Sequence, residues 1–238
     1  MAKKPQLRAE QVEVIYNAKQ WLLLRKFRSL AAEIIEVFEA KGIKTIIYGS
    51  IARGDISPKS DIDVFISDPP ASFLIENILE NRGLAIQKRT IIQATPSYAI
   101  KGYIEIDELR SVSFPLAKMR PTEREFYRFG GELSYAQVKH EDRVLGIDKR
   151  LMLIVPTPHG HVEGSVIGQE EVVAKLLNVS VNIVLDRVRA LTRRDKVGRT
   201  GVFLKRELAP EESFESSLNE LATTNPAIRR RLRTSAHA

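Results

Sequence analysis

Two aspartates separated by one residue, Asp61 and Asp63, are the most evident candidates for functional residues in this sequence. They flank Ile62 and lead into the apolar run 64–66, a pattern typical of a strand. Because side chains alternate between the two faces of a strand, both carboxylates point the same way, about 7 Å apart along it. Such a pair is poor core material. It suits hard divalent cations, which often complete their coordination with substrate phosphates.

A phosphate-binding turn is predicted just before these aspartates. Gly49 follows the apolar stretch 43–48, and a glycine lets the backbone approach a ligand closely. Ser50 adds a hydroxyl beside the N–H donors expected at the start of a helix. The phosphate and metal ligands therefore lie within fifteen residues of one another, from Gly49 to Asp63. This combination indicates a nucleoside triphosphate as the ligand.

The whole stretch resembles the signature of the DNA polymerase β nucleotidyltransferase superfamily, because a Gly-Ser turn and an Asp-x-Asp strand occur at the expected separation. The resemblance implies an α/β fold with a mixed sheet and helices. It also implies a nucleoside triphosphate as substrate, two Mg²⁺ or Mn²⁺ ions held by Asp61 and Asp63, and nucleotidyl transfer with release of pyrophosphate. The matching segments are Gly49-Ser50, Arg53-Gly54 and Ser60-Asp61-Ile62-Asp63, and the implied nucleotide contacts are Gly49, Ser50, Arg53 and Ser60.

The superfamily completes its metal site with a third carboxylate on a later, neighbouring strand. In the predicted strand 97–107, Tyr103, Glu105 and Asp107 share one face. Either carboxylate could be the third ligand, and alternation does not choose between them. Asp107 matches the aspartate usual at this position in the superfamily, so we favour it as the third catalytic and metal-binding carboxylate. Glu105 is the alternative.

The composition limits the class of protein. The 238 residues suffice for two modest domains, and 43% hydrophobic and 28% charged residues are typical of a soluble globular protein. The absence of cysteine excludes a disulfide scaffold, thiolate zinc sites and thiol catalysis. A net charge of +7 favours polyanionic partners such as RNA or DNA. The basic N-terminus lacks the apolar core of a secretory signal, and we predict a cytoplasmic protein with no membrane association.

Three consecutive regions are predicted: a nucleotidyltransferase domain at 1–120, a connecting region at 121–165, and a basic domain at 166–238. The first begins with two helical pieces over 9–41, separated by a break near residues 26–29. In the last region, helices at 169–177 and 181–194 flank a tight turn, and residues 198–205 are predicted to form a small hairpin. This order resembles a winged helix-turn-helix. The candidate nucleic-acid contacts are Arg187, Arg193, Arg194 and Arg199.

Two further interpretations stay open beside nucleotidyl transfer to RNA, DNA, a protein or a small molecule. The chain could be a DNA-binding regulator in which the transferase fold is a sensor or a retired enzyme. It could also be an antitoxin-like transferase that modifies a partner protein. His159 and His161 suggest a metal site, but without a third ligand nearby a polar turn is the better interpretation.

Overall fold

The computed structural model describes residue 5, residues 11–198 and residues 201–236, without the side chains of residues 235 and 236. These residues form a mixed α/β structure, which confirms the predicted fold class. The strands are β1 (Val12–Ile15), β2 (Thr45–Tyr48), β3 (Ile62–Ile66), β4 (Lys88–Gln93), β5 (Ile100–Glu105), β6 (Arg110–Pro115), β7 (Glu132–Ser134), β8 (Gly146–Ile147), β9 (Met152–Thr157), β10 (Gly160–Ser165) and β11 (Leu204–Glu207). The helices are α1 (Ala18–Glu39), α2 (Ser50–Arg53), α3 (Ser72–Asn81), α4 (Pro121–Gly130), α5 (Tyr135–Lys139), α6 (Glu170–Leu177), α7 (Val181–Val197), α8 (Phe214–Thr224) and α9 (Pro226–Ala236). Among the described residues, no helix is long and apolar enough to span a membrane.

The chain divides into two compact units that interleave along the sequence. The first unit contains the described residues within Met1–Leu30, Ile47–Ser60 and Arg124–Thr200. The second contains those within Ala31–Ile46, Asp61–Glu123 and Gly201–Ala238. The three consecutive regions predicted from sequence cut across these units, because segments far apart in the chain pair in the same sheet.

The second unit is built on five paired strands in the order β11-β4-β5-β6-β3. Neighbouring strands run antiparallel except for β3 and β6, which are parallel. Ile62, Val64 and Ile66 share one face of β3 and are fully inaccessible to solvent, and Phe65, on the opposite face with Asp63, is equally buried. Burial of such side chains contributes about 1.5–3 kcal/mol each, so β3 is a firm base for the polar residues between them.

The first unit contains a four-stranded antiparallel sheet, ordered β1-β10-β9-β8. Helices α6 and α7 form a shared apolar core with Ile147 of β8 and with Leu151 and Val166, which lie just outside the strands. Asn178, between the two helices, adopts a left-handed conformation (φ 51°) that ends α6. The two helices predicted in this region are therefore confirmed.

The N-terminal segment differs from its prediction in two respects. Residues 12–15 form β1, which pairs with β10, instead of the first turn of a helix. The helix that follows is a single 22-residue element without the predicted break at residues 26–29. The prediction was wrong because α1 contains no Gly or Pro to interrupt it and its central residues Phe27 and Arg28 are buried.

The C-terminal segment was predicted to contain a hairpin, or wing, at residues 198–205. In the described part of the chain, the strand found there is β11, and it pairs with β4 at the edge of the second unit's sheet. Phe214 of α8 packs against Phe114 of β6 with ring centroids 5.1 Å apart. Hydrophobic packing and strand pairing therefore attach residues 204–236 to this sheet, and the described residues do not display a wing.

Candidate active site

Asp63 lies in the middle of β3 and is oriented by hydroxyls of the adjacent strand. Ser113 Oγ donates a hydrogen bond of 2.8 Å to Asp63 Oδ1, and Ser111 Oγ lies 3.4 Å from the same oxygen. The parallel pairing sets Asp63 opposite Ser111 and Phe65 opposite Ser113, which explains this contact. The carboxylate is half-buried, and the serine hydroxyls fix its direction.

A buried cation and a phenol belong to the same polar face. Lys101 of β5 is buried and lies 5.6 Å from the centre of the Phe65 ring. Burial lowers the pKa of Lys101, although the negative charge of Asp63 acts in the opposite direction. Burial and the charge of Asp63 both raise the pKa of Tyr103. The negative charge of Asp63 therefore acts on both groups, and that of Glu123 acts on Lys101 as well.

Asp61 directly precedes β3 and is exposed to solvent. Its side chain makes no hydrogen bond or ion pair with the described residues. The backbone is fixed on both sides of it, since Ile62 N–H donates to Leu109 O at 2.8 Å and β3 begins there. Asp61 thus presents an exposed carboxylate at the start of β3.

The strand order affects which residue could be the third metal-binding carboxylate. The strand next to β3 is β6, and it presents Ser111 and Ser113 to Asp63, with no carboxylate between Arg110 and Pro115. Glu105 on β5 pairs with Ser111, so it lies in the same row as Asp63 but one strand further away. Its side chain is half-buried and makes no hydrogen bond within the described residues.

Asp107, the other candidate, lies beyond the end of β5 in the turn to β6. Its Oδ1 accepts hydrogen bonds from the N–H groups of Leu109 (2.8 Å) and Arg110 (2.7 Å), and its Oδ2 pairs with Arg110 Nε at 2.7 Å. Partial burial opposes ionisation, but the hydrogen bonds from Arg110 and Leu109 outweigh it and lower the pKa of Asp107. These contacts assign Asp107 a turn-forming role, and its role as a metal ligand stays a prediction.

The donor set fits a divalent cation in part. Asp61 and Asp63 supply two carboxylates from one strand, which is the chemistry that Mg²⁺ and Mn²⁺ prefer. The third ligand is not preformed, since no three Asp, Glu or His side chains of the described ranges form a group that could hold a metal ion. The residues therefore fit a cation held by the two aspartates and completed by water or substrate oxygens.

The predicted phosphate turn lies in the first unit. Gly49 has φ 81°, a conformation that side-chain-bearing residues rarely adopt, and a Cβ there would meet no atom within 4 Å from the described residues beyond its chain neighbours. Its N–H donates to Gly131 O at 2.9 Å, and its carbonyl accepts from Ala52 and Arg53 N–H. The turn requires glycine for its backbone angle, and the space above Gly49 is open.

Ser50 and Ser60 are brought together in this unit. Ser50 Oγ lies 3.2 Å from Ser60 Oγ, and Ser57 N–H donates to the latter at 3.0 Å. Both hydroxyls are half-buried. Two of the four predicted nucleotide contacts therefore share one hydrogen-bonded cluster at the start of α2.

Arg53, a predicted nucleotide contact, is buried among protein groups. Only 4% of its surface is exposed. Its guanidinium donates to Gly130 O (2.5 Å) and Ile147 O (3.3 Å) and pairs with Asp55 at 2.9 Å. These contacts go to the protein, so the structure gives Arg53 a role in holding the turn, and its contact with a triphosphate stays a prediction.

Arg28 stabilises the same turn from α1. Its guanidinium donates to the carbonyls of Ile51 and Ala52, each at 3.2 Å. Burial lowers the pKa of Arg28 to about 10, and the nearby Arg143 adds to this. Because a helix cannot satisfy its own last carbonyls, Arg28 supplies a donor to both, and Ala52 O also accepts from Val144 N–H at 3.3 Å.

The four candidate nucleic-acid arginines differ in their surroundings. Arg187 is half-buried, and its guanidinium lies 5.1 Å from the centre of the Phe126 ring. Arg193 and Arg194 are exposed near the end of α7. Arg199 lies outside the described residues. The exposed pair is therefore the part of this set that the structure leaves accessible.

Sequence reasoning missed Ser111, Ser113, Lys101 and Arg28. A usable signal existed for the serines, because they alternate with Val112 and Phe114 in an otherwise apolar segment. No local signal identified Arg28 or Lys101, whose importance depends on which carbonyl or carboxylate the fold brings to them.

Comparison with known families supports the signature. Residues 30–113 match the family model described as a nucleotidyltransferase domain. This part of the chain is therefore a nucleotidyltransferase domain, and the resemblance predicted from sequence is confirmed. The match contains Gly49, Asp61 and Asp63 and ends at Ser113, so it leaves the C-terminal half uncovered. No match is found among curated proteins.

Proposed function

We propose that the protein is a metal-dependent nucleotidyltransferase that moves a nucleoside monophosphate from a nucleoside triphosphate to an acceptor hydroxyl, with release of pyrophosphate. The observation that carries this proposal is Asp63, a half-buried carboxylate held by Ser113 on a rigid strand two residues after the exposed Asp61. A structural aspartate has no need of such a partner two residues away. The family match supports the reaction class.

Asp61 and Asp63 would hold the divalent ions, which lower the pKa of the attacking hydroxyl and neutralise charge on the leaving pyrophosphate. Ser113 and Ser111 keep the Asp63 carboxylate turned in one direction. Such preorganisation is effective because no reorientation is required as charge develops during the reaction. Glu105 is the carboxylate best suited to accept the proton of the acceptor hydroxyl, since no hydrogen bond within the described residues engages it.

The open space above Gly49 supports binding of the triphosphate at this turn. A backbone without Cβ permits close approach of phosphate oxygens, and the Ser50 hydroxyl can donate to them once it turns from Ser60. The buried Arg53 and Arg28 keep the turn in shape. Arg53 and Arg28 therefore support triphosphate binding indirectly, by holding the backbone of this turn.

The experiment is a transfer assay with each of the four labelled ribonucleoside triphosphates and Mg²⁺ or Mn²⁺. RNA, DNA and extracted protein serve as acceptors. Asp61→Asn and Asp63→Asn should each lower the rate on the order of 100-fold or more. Asp68→Asn, at an exposed aspartate just after β3, is the matched control and should leave the rate unchanged.

Label transfer that survives Asp63→Asn would overturn the assignment of the site. Nucleotide binding without transfer to any acceptor would favour the alternative of a sensor or a retired enzyme. Transfer to a protein alone would favour the antitoxin-like alternative. Nucleotide binding is measured separately by titration with the same labelled nucleotides, and the two measurements together separate the three outcomes.

Nucleic acid is the acceptor class that we favour, because the net charge is +7 and α7 exposes Arg193 and Arg194. Replacing both arginines with alanine should weaken RNA binding and make its dependence on salt shallower. For a single strand, the slope should change by about 0.7 for each phosphate that the variant no longer neutralises. Arg82→Ala, an exposed arginine after α3, is the control. An unchanged salt slope in the double variant would remove α7 from the acceptor site.

A further inference from the structure

One face of α1 carries a group of exposed cations. From Val14 to Leu30, where the first unit's share of α1 ends, the chain contains no Asp or Glu but four cations. One of them, Arg28, is buried against α2. The others are exposed, and their side chains make no hydrogen bond or ion pair within the part of the chain that the structure describes. These three are Lys19, Arg25 and Lys26.

The three exposed cations lie on the same side of the helix. An α-helix turns by about 100° and rises about 1.5 Å per residue, so Lys19 and Lys26 lie nearly in line, about 10.5 Å apart along the axis. Arg25 and the exposed Leu22 complete a stripe that covers about a third of the helix circumference. The buried Phe27 lies on the other side. We call Lys19, Leu22, Arg25 and Lys26 the basic stripe.

The side of α1 opposite the basic stripe is attached to the predicted phosphate turn. Gln20 Nε2 donates a hydrogen bond of 2.6 Å to Ile56 O, and Arg28 donates to two carbonyls of α2, which begins directly after Gly49. All of these residues belong to the first unit. A helix with its side chains is about 10–12 Å across, so the basic stripe lies roughly one helix diameter from these contacts. The stripe is therefore too far from the turn to serve a single nucleotide bound there, and it suits a longer ligand.

The composition of the basic stripe indicates a polyanion as this ligand. Lys and Arg side chains bind the repeated phosphates of nucleic acids and displace the counterions condensed on them. Phosphates of one strand follow one another about every 3.4 Å along a nucleic-acid helix axis, so about three of them match the length of the stripe. An anionic membrane is a poorer match, because interfacial helices bury a broad apolar face. Leu22 is the one large exposed hydrophobic residue among the described residues of α1.

We propose that the basic stripe binds a single-stranded nucleic acid, with the three cations on successive phosphates and Leu22 against an unstacked base. The leucine side chain favours a single strand over a duplex, because it is 63% exposed and only unstacked bases offer an apolar surface to cover it. The proposal concerns binding, which requires neither nucleoside triphosphate nor metal. It can therefore fail while nucleotidyl transfer to another acceptor holds, and the converse is also true.

The test measures binding of the full chain to a fluorescent uridine oligonucleotide of about sixteen residues, the upper end of the site sizes of single-strand-binding folds. Fluorescence anisotropy is recorded over a range of salt concentrations, with EDTA present and without nucleoside triphosphate. Lys19→Ala/Arg25→Ala/Lys26→Ala should lower the affinity on the order of tenfold or more. It should also reduce the salt slope by about 2, because each lost phosphate contact removes about 0.7.

A second triple variant controls for net charge. Lys41→Ala/Lys44→Ala/Arg82→Ala also removes two lysines and one arginine, at exposed positions of the second unit where the side chains have no hydrogen-bond or ion-pair partner among the described residues. This control should change the slope far less. Leu22→Ala should weaken binding of the single strand severalfold and leave the slope unchanged, because an apolar contact releases no counterions. All of the replaced side chains are exposed, so each variant should unfold at nearly the temperature of the wild type.

Several results would overturn the proposal. One is the absence of oligonucleotide binding at low salt. Another is an equal loss of slope in the two triple variants, which would reduce the effect to net charge. A third is a duplex of the same length that binds as tightly as the single strand and does not respond to Leu22→Ala. Vesicles that contain phosphatidylserine provide the last check: if they lose binding in the Lys19/Arg25/Lys26 variant while the oligonucleotide does not, the stripe faces a membrane instead.

Discussion

Ser113 donates a 2.8 Å hydrogen bond to Asp63 from the strand that runs parallel to β3. The superfamily resemblance predicted a carboxylate on a strand next to the Asp-x-Asp pair, and β6 supplies hydroxyls to Asp63 instead. The serine hydroxyls are neutral donors, which orient the Asp63 carboxylate without adding a second negative charge. This relationship makes the serines testable parts of the site.

Ser113→Ala should lower the rate of nucleotidyl transfer with little change in the Michaelis constant for the nucleoside triphosphate. Without the hydroxyl, the Asp63 carboxylate is no longer held by its shortest described hydrogen bond and samples more orientations. Removing a hydrogen bond to a charged group costs about 1.5–3 kcal/mol, so we expect a decrease of roughly tenfold to a hundredfold. Steady-state kinetics with Mg²⁺ measures both parameters.

A graded comparison strengthens this experiment. Ser111→Ala removes a hydrogen bond of 3.4 Å and should have a smaller effect than Ser113→Ala, whereas Ser97→Ala, at an exposed serine, should have none. Equal rates in the Ser113 and Ser97 variants would show that the hydroxyl does not orient Asp63 during the reaction.

Glu105 and Asp107 can be separated by their effects on activity and on stability. Glu105→Gln should lower the transfer rate on the order of 100-fold, because the proposed proton acceptor is removed. Asp107→Asn should retain most activity and destabilise the fold by about 1 kcal/mol, a small figure because solvent screens its partly exposed pair with Arg110. Glu108→Gln, at an exposed neighbour, is the control for both.

The stability effect of Asp107 has a defined pH dependence. Its pKa is lowered in the folded state, so the contribution is present at neutral pH and is lost as the pH falls through the folded-state pKa, below its usual value of 3.8. Urea unfolding of the wild type and Asp107→Asn should therefore converge in acid. A large loss of activity in Asp107→Asn with no change in stability would restore Asp107 as the third ligand.

The sequence was informative where a local pattern determines the structure. The Gly-Ser turn, the Asp-x-Asp strand and the helices α6 and α7 follow from spacing and turn residues alone. Alternation identified the face of Glu105 correctly but could not identify its neighbour, because strand order depends on long-range pairing. The serines of β6 became relevant only once β6 was found beside β3.

Arginines illustrate the same limit. Arg53 belongs to the signature, and its charge suggested contact with a phosphate, yet the fold buries it against Gly130, Ile147 and Asp55. Arg231 lies in a terminal arginine run where a solvated, frayed end is the default. The structure buries Arg231 against Glu123. Composition shows that a charged side chain is present, but tertiary packing determines whether that side chain is exposed to solvent.

Arg231→Met should destabilise the protein by about 3–5 kcal/mol, because Glu123 would remain buried with its charged partner removed. The pair is 2.8 Å apart, and each side chain is only 2% exposed. Guanidinium chloride unfolding measures the loss. Arg230→Met, at an exposed arginine one residue earlier, should change stability by less than about 0.5 kcal/mol.

The double variant Glu123→Gln/Arg231→Met provides the decisive comparison. It removes both charges and should recover part of the stability that the single variant lacks. Equal stability of wild type and Arg231→Met would mean that α9 does not depend on this pair.

Protonation of His161 should weaken the fold on the acid side of neutrality. Burial lowers the pKa of His161, although Asp55 and Glu163 act in the opposite direction, and Arg150 adds to the lowering. The unfolded chain, with a histidine pKa of about 6.5, then binds the proton at higher pH than the folded chain. Stability must fall as the pH drops below about 6.5, until the folded state is protonated as well.

Comparison of the wild type, His161→Phe and His159→Gln shows whether His161 causes this loss of stability in acid. The free energy of unfolding in urea, measured from neutral pH to mildly acidic pH, should fall more steeply for the wild type than for His161→Phe. The difference is at most about 1.4 kcal/mol for each unit by which the folded-state pKa is lowered. His159→Gln keeps the buried imidazole and its contact with Tyr16, so it should follow the wild type. Parallel curves for the wild type and His161→Phe would mean that the buried imidazole takes up its proton as easily as an exposed one.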